Sequence, residues 1–206
     1  MLDAFFIPAK DTASRRLCVF LHGLGDSVEG YDWLLDALGF PWMNYVLANA
    51  PDSYYSGFSW YDFAGDIVPG VKRSCALLSE LLDATRARGF PSEQTILGGF
   101  SQGGLMTLEV GCRYPHRLAG LVEISGYAAQ PEILEKELSP VAKEQRFLAT
   151  HGIEDPILPI DVTRNQIKML QTAGLNIEWH EFHKGHTLAG EPELAVIRKF
   201  IEAGYC

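Results

Sequence analysis

A serine flanked by glycines stands where an apolar run meets a helix-like run. Residues 99–103 read GFSQG, after the apolar run at 94–98 and before the helix-like run at 105–112. This order predicts a strand, a sharp turn and a helix, with Ser101 on the turn. The glycines remove the Cβ atoms that would clash where strand and helix approach each other. The turn would present the Ser101 hydroxyl as a nucleophile and aim the N–H of Gln102 at a developing negative charge.

Strand-like and helix-like runs alternate along the rest of the chain. Residues 17–22 read LCVFLH, a continuous apolar run that is typical of a strand buried on both faces. The alternation predicts the α/β class, with a mostly parallel central sheet and helices on both faces. We predict strands at 4–8, 17–22, 45–49, 94–100, 118–125, 146–151 and 176–182, helices at 31–38, 71–88, 102–113, 160–173 and 192–203, and a long loop at 51–66.

The chain carries no internal repeat, low-complexity tract or linker. We therefore expect residues 1–206 to form a single domain. The connections between predicted sheet elements are short, so we expect no separate cap domain.

The net charge and the cysteine pattern limit the binding partners and the cellular compartment that we expect for the protein. The net charge of −9 argues against nucleic acid or an anionic membrane as the main partner. No apolar run reaches transmembrane length and the start, MLDA, lacks a basic signal-peptide region, so we expect no stable membrane insertion. The four cysteines form no C-x-x-C pair, which favours a reduced, cytoplasmic protein; they are Cys18, Cys75, Cys112 and Cys206.

Polar, glycine-containing loops follow four of the predicted strands. These are HGLGDS at 22–27, the turn at Ser101, HGIEDP at 151–156 and HKGHT at 183–187. Chemistry in a parallel sheet gathers at the carboxyl ends of its strands. We therefore expect side chains from these loops to meet.

The chemistry of a serine nucleophile assigns a role to each loop. The Ser101 hydroxyl needs a neutral imidazole to take its proton, and His186 would do this. The imidazolium needs a carboxylate, which Asp155 would supply. A tetrahedral oxyanion needs two donors, for which we predict the N–H groups of Leu24 and Gln102.

Other residues compete for the base and the acid. His183 also lies near a strand end, but it closes the strand, whereas His186 follows a glycine in the loop. Glu154 and Asp161 compete with Asp155 as the acid. Asp155 precedes a proline that holds the loop extended, while Asp161 suits the start of the next helix.

Metal and nucleotide motifs are absent from the sequence. No Lys-Ser/Thr follows Gly23 and Gly25, so a phosphate loop is excluded. The histidines lack H-x-H or H-E-x-x-H spacing, so we expect no metal and no cofactor. We expect His22 and His151 to hydrogen-bond within their own loops.

An aromatic stretch, YYSGFSWY at 54–61, admits two compatible readings. It forms a satellite core beneath a long loop, or one wall of an apolar acyl pocket. For the second reading, we predict Gly23, Phe58 and Trp60 as substrate-binding residues.

Several of these motifs occur together in one known family. They are LHGLGD at 21–26, AP at 50–51, Trp60 with Asp62, GFSQGG at 99–104, HG at 151–152 with Asp155 and Pro159, and GH at 185–186. In this combination, from about residue 17 to the end, the chain resembles the acyl-protein thioesterase/carboxylesterase family of α/β-hydrolases, also called phospholipase/carboxylesterase.

The resemblance implies an α/β-hydrolase fold and hydrolysis of carboxylic esters or thioesters without a cofactor. It implies a Ser101–Asp155–His186 triad, with an oxyanion hole from Leu24 and Gln102. Small-molecule esters or thioesters, or acylated proteins, would be the substrates, and a homodimer would be the assembly.

Two departures from the family pattern narrow the expected activity. Residues 58–62 read FSWYD, where family members often carry Arg-Ala before Trp-Phe-Asp, and the stretch at 64–71 is short. We therefore expect an esterase for short or medium acyl chains rather than an acyl-protein thioesterase or lysophospholipase in the strict sense. A peptidase or amidase, or a non-catalytic binding protein of the same fold, are the other readings.

Overall fold

A seven-stranded sheet forms the centre of the fold. Its strands, in the order in which they lie side by side, are β1 (Ala4–Ile7), β3 (Asn44–Ala48), β2 (Leu17–Leu21), β6 (Thr95–Phe100), β7 (Gly120–Ile124), β8 (Arg146–Gly152) and β9 (Asn176–Phe182). The computed structural model describes residues 2–205, with only the backbone described for Asp32. Strand β1 pairs antiparallel with β3, and the other neighbouring pairs in the described sheet are parallel.

Helices cover both faces of this sheet. The α-helices are α1 (Asp32–Leu38), α2 (Val68–Ala87), α3 (Gln102–Arg113), α4 (Pro131–Lys136), α5 (Ile160–Thr172) and α6 (Glu191–Ala203). Helices α2, α3 and α5 contribute buried side chains to one apolar cluster, and α1 and α6 contribute to the cluster on the opposite face. The predicted α/β class, with a mostly parallel sheet and helices on both faces, is confirmed.

Strand β2 illustrates how the sequence forms the centre of the sheet. Leu17, Val19 and Leu21 belong to one apolar cluster, whereas Cys18 and Phe20 belong to the other. Successive side chains on a strand point to opposite faces, so a continuous apolar run supplies both layers. No helix within residues 2–205 is both long and apolar enough to span a bilayer.

The segment expected to be a loop at 51–66 contains a β-hairpin. Strands β4 (Asp52–Tyr54) and β5 (Gly57–Ser59) pair antiparallel, with Tyr55 at the turn in a left-handed conformation (φ 50°). Backbone hydrogen bonds hold β5 to the loop after β2: Gly25 N–H donates to Phe58 O (2.8 Å), and Phe58 N–H donates to Asp26 O (2.9 Å). The local pattern did not reveal this hairpin because its support comes from a distant loop.

One predicted helix begins earlier than expected, and one helix was not predicted. Helix α2 begins at Val68 rather than at 71, with Pro69 in its first turn, where a missing N–H costs nothing. The short helix α4 lies in a stretch for which we predict no helix or strand.

Candidate active site

The turn after β6 holds Ser101 in a strained conformation. Its φ of 56° and ψ of −115° lie in a region that non-glycine residues rarely adopt. The surrounding backbone is tightly packed: a Cβ atom on Gly99 would lie 2.3 Å from Gly103 O, and one on Gly103 would lie 2.2 Å from Leu21 O. Glycine is therefore required on both sides of the serine.

Three side chains from separate strand ends form a chain of hydrogen bonds. The Ser101 hydroxyl lies 2.8 Å from His186 Nε2, and His186 Nδ1 lies 2.7 Å from Asp155 Oδ2. The carboxylate accepts only, so Nδ1 carries the ring proton and Nε2 is left to accept from the serine. The structure thus brings together the three residues predicted as nucleophile, base and acid.

Asp155 is held by its own loop as well as by the imidazole. Its Oδ1 accepts hydrogen bonds from the N–H groups of Ile157 and Leu158, both at 2.9 Å. Burial by itself raises the pKa of Asp155, but the hydrogen bonds from Leu158, His186 and Ile157 outweigh it and hold the pKa below its usual value. The carboxyl group is therefore ionised and fixed in orientation.

A second histidine supports the same loop. His151 Nε2 lies 2.9 Å from Leu158 O and 3.8 Å from Asp155 Oδ2. Burial lowers the pKa of His151, so the ring is neutral and Nε2–H donates to the carbonyl oxygen. This matches the expected hydrogen bond within its own loop.

The competing acid and base residues lie outside this chain of hydrogen bonds. His183 is exposed, and its Nδ1 lies 3.5 Å from the exposed carboxylate of Glu154. Asp161 is in the first turn of α5 and forms an exposed ion pair with Arg164.

The two predicted oxyanion donors border the serine. Gln102 is the first residue of α3, so its N–H has no acceptor within the helix. Within residues 2–205, the N–H of Leu24 has no acceptor in the protein. Both residues line the cleft that contains Ser101 and His186.

The side chain of Gln102 has a structural role that sequence reasoning missed. It is buried; its Oε1 accepts from the N–H of Trp60 (3.0 Å), and its Nε2 donates to Tyr61 O (3.2 Å). The start of α3 is thereby tied to the aromatic segment after β5. A buried amide needs such partners, but the sequence does not say where they lie.

Trp60 and His22 brace the loop that carries Leu24. Trp60 Nε1–H donates to His22 O (2.9 Å). His22 Nε2 accepts from Ala50 N–H (3.0 Å), which leaves Nδ1–H to donate to Gly23 O (2.6 Å). Burial lowers the pKa of His22, consistent with this neutral form. His22 therefore bonds within its own loop, as expected, and also to the strand end at Ala50.

The cleft above Ser101 has a volume of about 290 Å³. Of the predicted substrate-binding residues, Gly23 lines it, whereas Phe58 and Trp60 do not. Trp60 is fully buried behind the wall, and Phe58 packs near the ring of His22 at 6.3 Å between centroids. Apolar and aromatic side chains form most of the lining; beside Leu24 and Tyr31, they are Tyr61, Phe63, Phe100, Tyr127, Ile157 and Leu158.

Sequence reasoning missed several lining residues. Tyr127 follows β7, whose following loop is assigned no role from the sequence, so nothing marked it. Ile157 and Leu158 could have been found, because they come directly after the acid loop. In the part of the chain that the structure describes, no three His, Cys, Asp or Glu side chains converge as a metal site would require.

Comparisons with known proteins identify the family of the chain. The family model described as phospholipase/carboxylesterase matches residues 2–204. Acyl-protein thioesterase 1 of Schizosaccharomyces pombe is 36% identical over 171 residues, 77% of this chain and 76% of that protein. Acyl-protein thioesterase 1 of Candida albicans is 30% identical over 224 residues, 98% and 97% of the two chains.

A solved structure gives the same result. The crystal structure of esterase PE8 is similar with a TM-score of 0.84 and 30% identity, over 98% of both chains. From the family match, the relatives and the shared fold, the chain belongs to the phospholipase/carboxylesterase family of α/β-hydrolases.

Proposed function

We propose that this protein hydrolyses carboxylic esters and thioesters of short to medium acyl chains through an acyl-enzyme on Ser101. Family membership makes it an ester- or thioester-cleaving serine hydrolase. The observation that carries the proposed mechanism is the chain of hydrogen bonds from Asp155 through His186 to Ser101, at the edge of an apolar cleft.

In the first half of the reaction, Ser101 Oγ attacks the carbonyl carbon of the substrate. His186 Nε2 takes the hydroxyl proton as the new C–O bond forms. The carbonyl oxygen becomes an oxyanion, which accepts hydrogen bonds from the N–H groups of Leu24 and Gln102. When the intermediate collapses, His186 returns the proton to the leaving alcohol or thiol, and the acyl group stays on Ser101.

In the second half of the reaction, the alcohol or thiol has left and a water molecule attacks the acyl-enzyme. His186 takes a proton from the water as its oxygen attacks the acyl carbon, and the same two N–H groups stabilise the second oxyanion. Collapse releases the carboxylic acid and returns the proton to Ser101. Asp155 fixes the ring tautomer and stabilises the imidazolium formed twice in each cycle.

The size of the cleft supports the preference for shorter chains. Its volume of about 290 Å³ is at the small end for ligand pockets in proteins, which span roughly 300–1,000 Å³. The aromatic rings along it would exclude water from the acyl chain and from the developing charge.

The physiological substrate is a finer part of the proposal. The names of the fungal relatives support acylated proteins as substrates beside small esters and thioesters. The buried free thiols of Cys18, Cys75 and Cys112 support a cytoplasmic setting. A homodimer is supported by the family resemblance alone.

Replacing the nucleophile tests the mechanism. Hydrolysis of p-nitrophenyl acetate, butyrate and octanoate, and of matched thioesters, is compared between the wild type and Ser101→Ala. We expect kcat to fall by about 10⁴-fold or more, because only the oxyanion donors and substrate binding would remain. A fluorophosphonate probe should label the wild type and leave Ser101→Ala unlabelled.

The chain offers a matched control. Like Ser101, Ser125 follows a central strand with positive φ (48°); it is buried, and its hydroxyl has no partner among the described residues. Ser125→Ala should keep both activity and labelling. Full activity in Ser101→Ala would exclude the proposed nucleophile, and an unlabelled, inactive wild type would indicate a non-catalytic binding protein.

A further inference from the structure

A buried ion pair lies next to the loop that carries His186. Lys184 Nζ lies 2.6 Å from Glu193 Oε1, and the two side chains are only 1% and 0% exposed. Lys184 is in the loop after β9, and Glu193 is in the first turn of α6. Removing two charges from water is costly, so a buried pair is weak evidence for a role in stability alone.

The same carboxylate also holds the far side of the loop. Glu193 Oε2 accepts a hydrogen bond from the N–H of Ala189 at 2.7 Å. Glu193 therefore contacts the chain two residues before His186 and three residues after it. The segment that presents the imidazole is fixed at both ends by one side chain of α6.

Lys184 links this segment to the loop that carries the acid. Its carbonyl oxygen accepts from the N–H of Glu154 at 3.1 Å, directly before Asp155. The two loops are packed closely, because a Cβ atom on Gly152 would lie 2.4 Å from Lys184 O. Lys184 thus contacts α6 through its ammonium group and the acid loop through its backbone.

A second buried carboxyl group near this pair does not replace Glu193. Burial raises the pKa of Glu123 to about 8, so this carboxyl is mostly protonated at neutral pH. Neither of its oxygens makes a hydrogen bond to Lys184. Glu193 is accordingly the carboxylate that Lys184 contacts directly.

We propose that Lys184 and Glu193 are positioning residues, which hold the His186 segment against the Asp155 loop so that the imidazole reaches the serine and the acid at once. This inference rests on the proposed function of these three residues. A displacement of about 1 Å in a catalytic group can cost on the order of 100-fold in rate. The pair would therefore act on kcat more than on substrate binding.

The test compares Glu193→Gln, Lys184→Met and the double variant with the wild type. Glutamine keeps an acceptor for Ala189 N–H but removes the charge, and the double variant leaves no buried charge unpaired. Glu191→Gln is the matched control, since Glu191 is in the same first turn of α6 but is exposed and paired with Arg198. Thermal unfolding is measured beside kcat and KM, and all assays run well below every melting temperature.

If the pair positions His186, the double variant should keep a lowered kcat even though it regains thermal stability. We expect kcat to fall by about 10- to 100-fold in Glu193→Gln and in the double variant, with KM within about twofold of wild type. The double variant should melt closer to wild type than Lys184→Met does, and Glu191→Gln should match wild type in every measurement.

Two results would overturn the inference. One is a wild-type kcat in Glu193→Gln or in the double variant. The other is a loss of kcat that follows the melting temperature and disappears in the double variant, which would indicate a purely structural pair. Ser101→Ala is assayed alongside these variants. If the proposed mechanism fails, Ser101→Ala stays active, and this outcome is distinct from both results above.

Discussion

At the scale of single residues, two tyrosines meet at one wall of the cleft. The hydroxyl groups of Tyr61 and Tyr127 lie 2.9 Å apart, and both residues line the cavity. Tyr61 is fully buried, whereas Tyr127 is partly exposed. Their hydrogen bond joins the segment after β5 to the segment after β7, so the pair limits the space available to a substrate chain.

Shortening Tyr127 should change the chain-length preference. Tyr127→Ala removes the ring and lengthens the apolar cavity, so additional methylene groups would be buried at about 0.8 kcal/mol each. We expect the ratio of kcat/KM for p-nitrophenyl octanoate to that for the acetate to rise by about tenfold or more.

The hydroxyl and the ring can be separated by a second variant. Tyr127→Phe keeps the wall and should keep the wild-type chain-length profile, while losing about 1 kcal/mol of stability because the Tyr61 hydroxyl loses its partner. If Tyr127→Ala and wild type gave parallel profiles, Tyr127 would not limit the chain.

The catalytic candidates and the lining residues differ in how far sequence reveals them. Ser101, Asp155 and His186 each follow a predicted strand, and the chemistry of a serine nucleophile requires those three residue types. Trp60 and Tyr127 are aromatic residues in loops, and the choice between lining a cleft and supporting it depends on the path of the chain. The sequence could not give that path, so Trp60 was expected in the cleft and Tyr127 was missed.

At the scale of elements, strand β7 carries an unusual group through the centre of the sheet. Glu123 is 1% exposed, and β7 lies between β6 and β8. Burial raises the pKa of Glu123 to about 8, compared with about 4.3 for a glutamate in an unfolded chain. Between these two values the native state holds a proton that the unfolded state has released.

Because of this difference, the free energy of unfolding should decrease as the pH rises. The contribution of Glu123 is intact below the unfolded pKa and is lost as pH rises towards the folded pKa, by up to about 1.4 kcal/mol per pH unit. Glu123→Gln stays neutral at every pH, so we expect its free energy of unfolding to fall less than that of wild type between about pH 5 and about pH 8. Urea unfolding across this range measures the two slopes.

An exposed glutamate provides the comparison. Glu135 lies on the surface of α4, and Glu135→Gln should keep the wild-type slope. Equal slopes for Glu123→Gln and wild type would mean that Glu123 is ionised in the native state.

Strands and helices were predictable where the residues of the segment itself carried the apolar pattern. The apolar run of β2 and the periodic helices α2 and α6 lie close to their predicted positions. The hairpin of β4 and β5 was missed because each strand has three residues and its partners include the backbone of Gly25 and Asp26, far away in sequence. Such short strands owe their formation to tertiary contacts.

At the scale of the whole molecule, three thiols report on both layers of the core. Cys18 packs in the cluster beneath α1 and α6, whereas Cys75 and Cys112 pack in the cluster beneath α2, α3 and α5. Burial raises the pKa of Cys18 and of Cys75 to about 12, and that of Cys112 upwards as well. A thiol reagent needs an accessible thiolate, so each of these cysteines reacts only when its layer opens.

The expectation that residues 1–206 fold as a single domain can be tested with these thiols. If both layers open together in one cooperative transition, the three cysteines should react with a thiol reagent at the same slow rate, set by global unfolding. The Cys206→Ala variant removes the thiol outside the described residues, and mass spectrometry of the labelled peptides follows each site.

Unfolding in guanidinium should expose all three thiols at once. Labelling of Cys75 and Cys112 well before Cys18 would show that one face of the sheet opens independently, and the two layers would then be separate cooperative units.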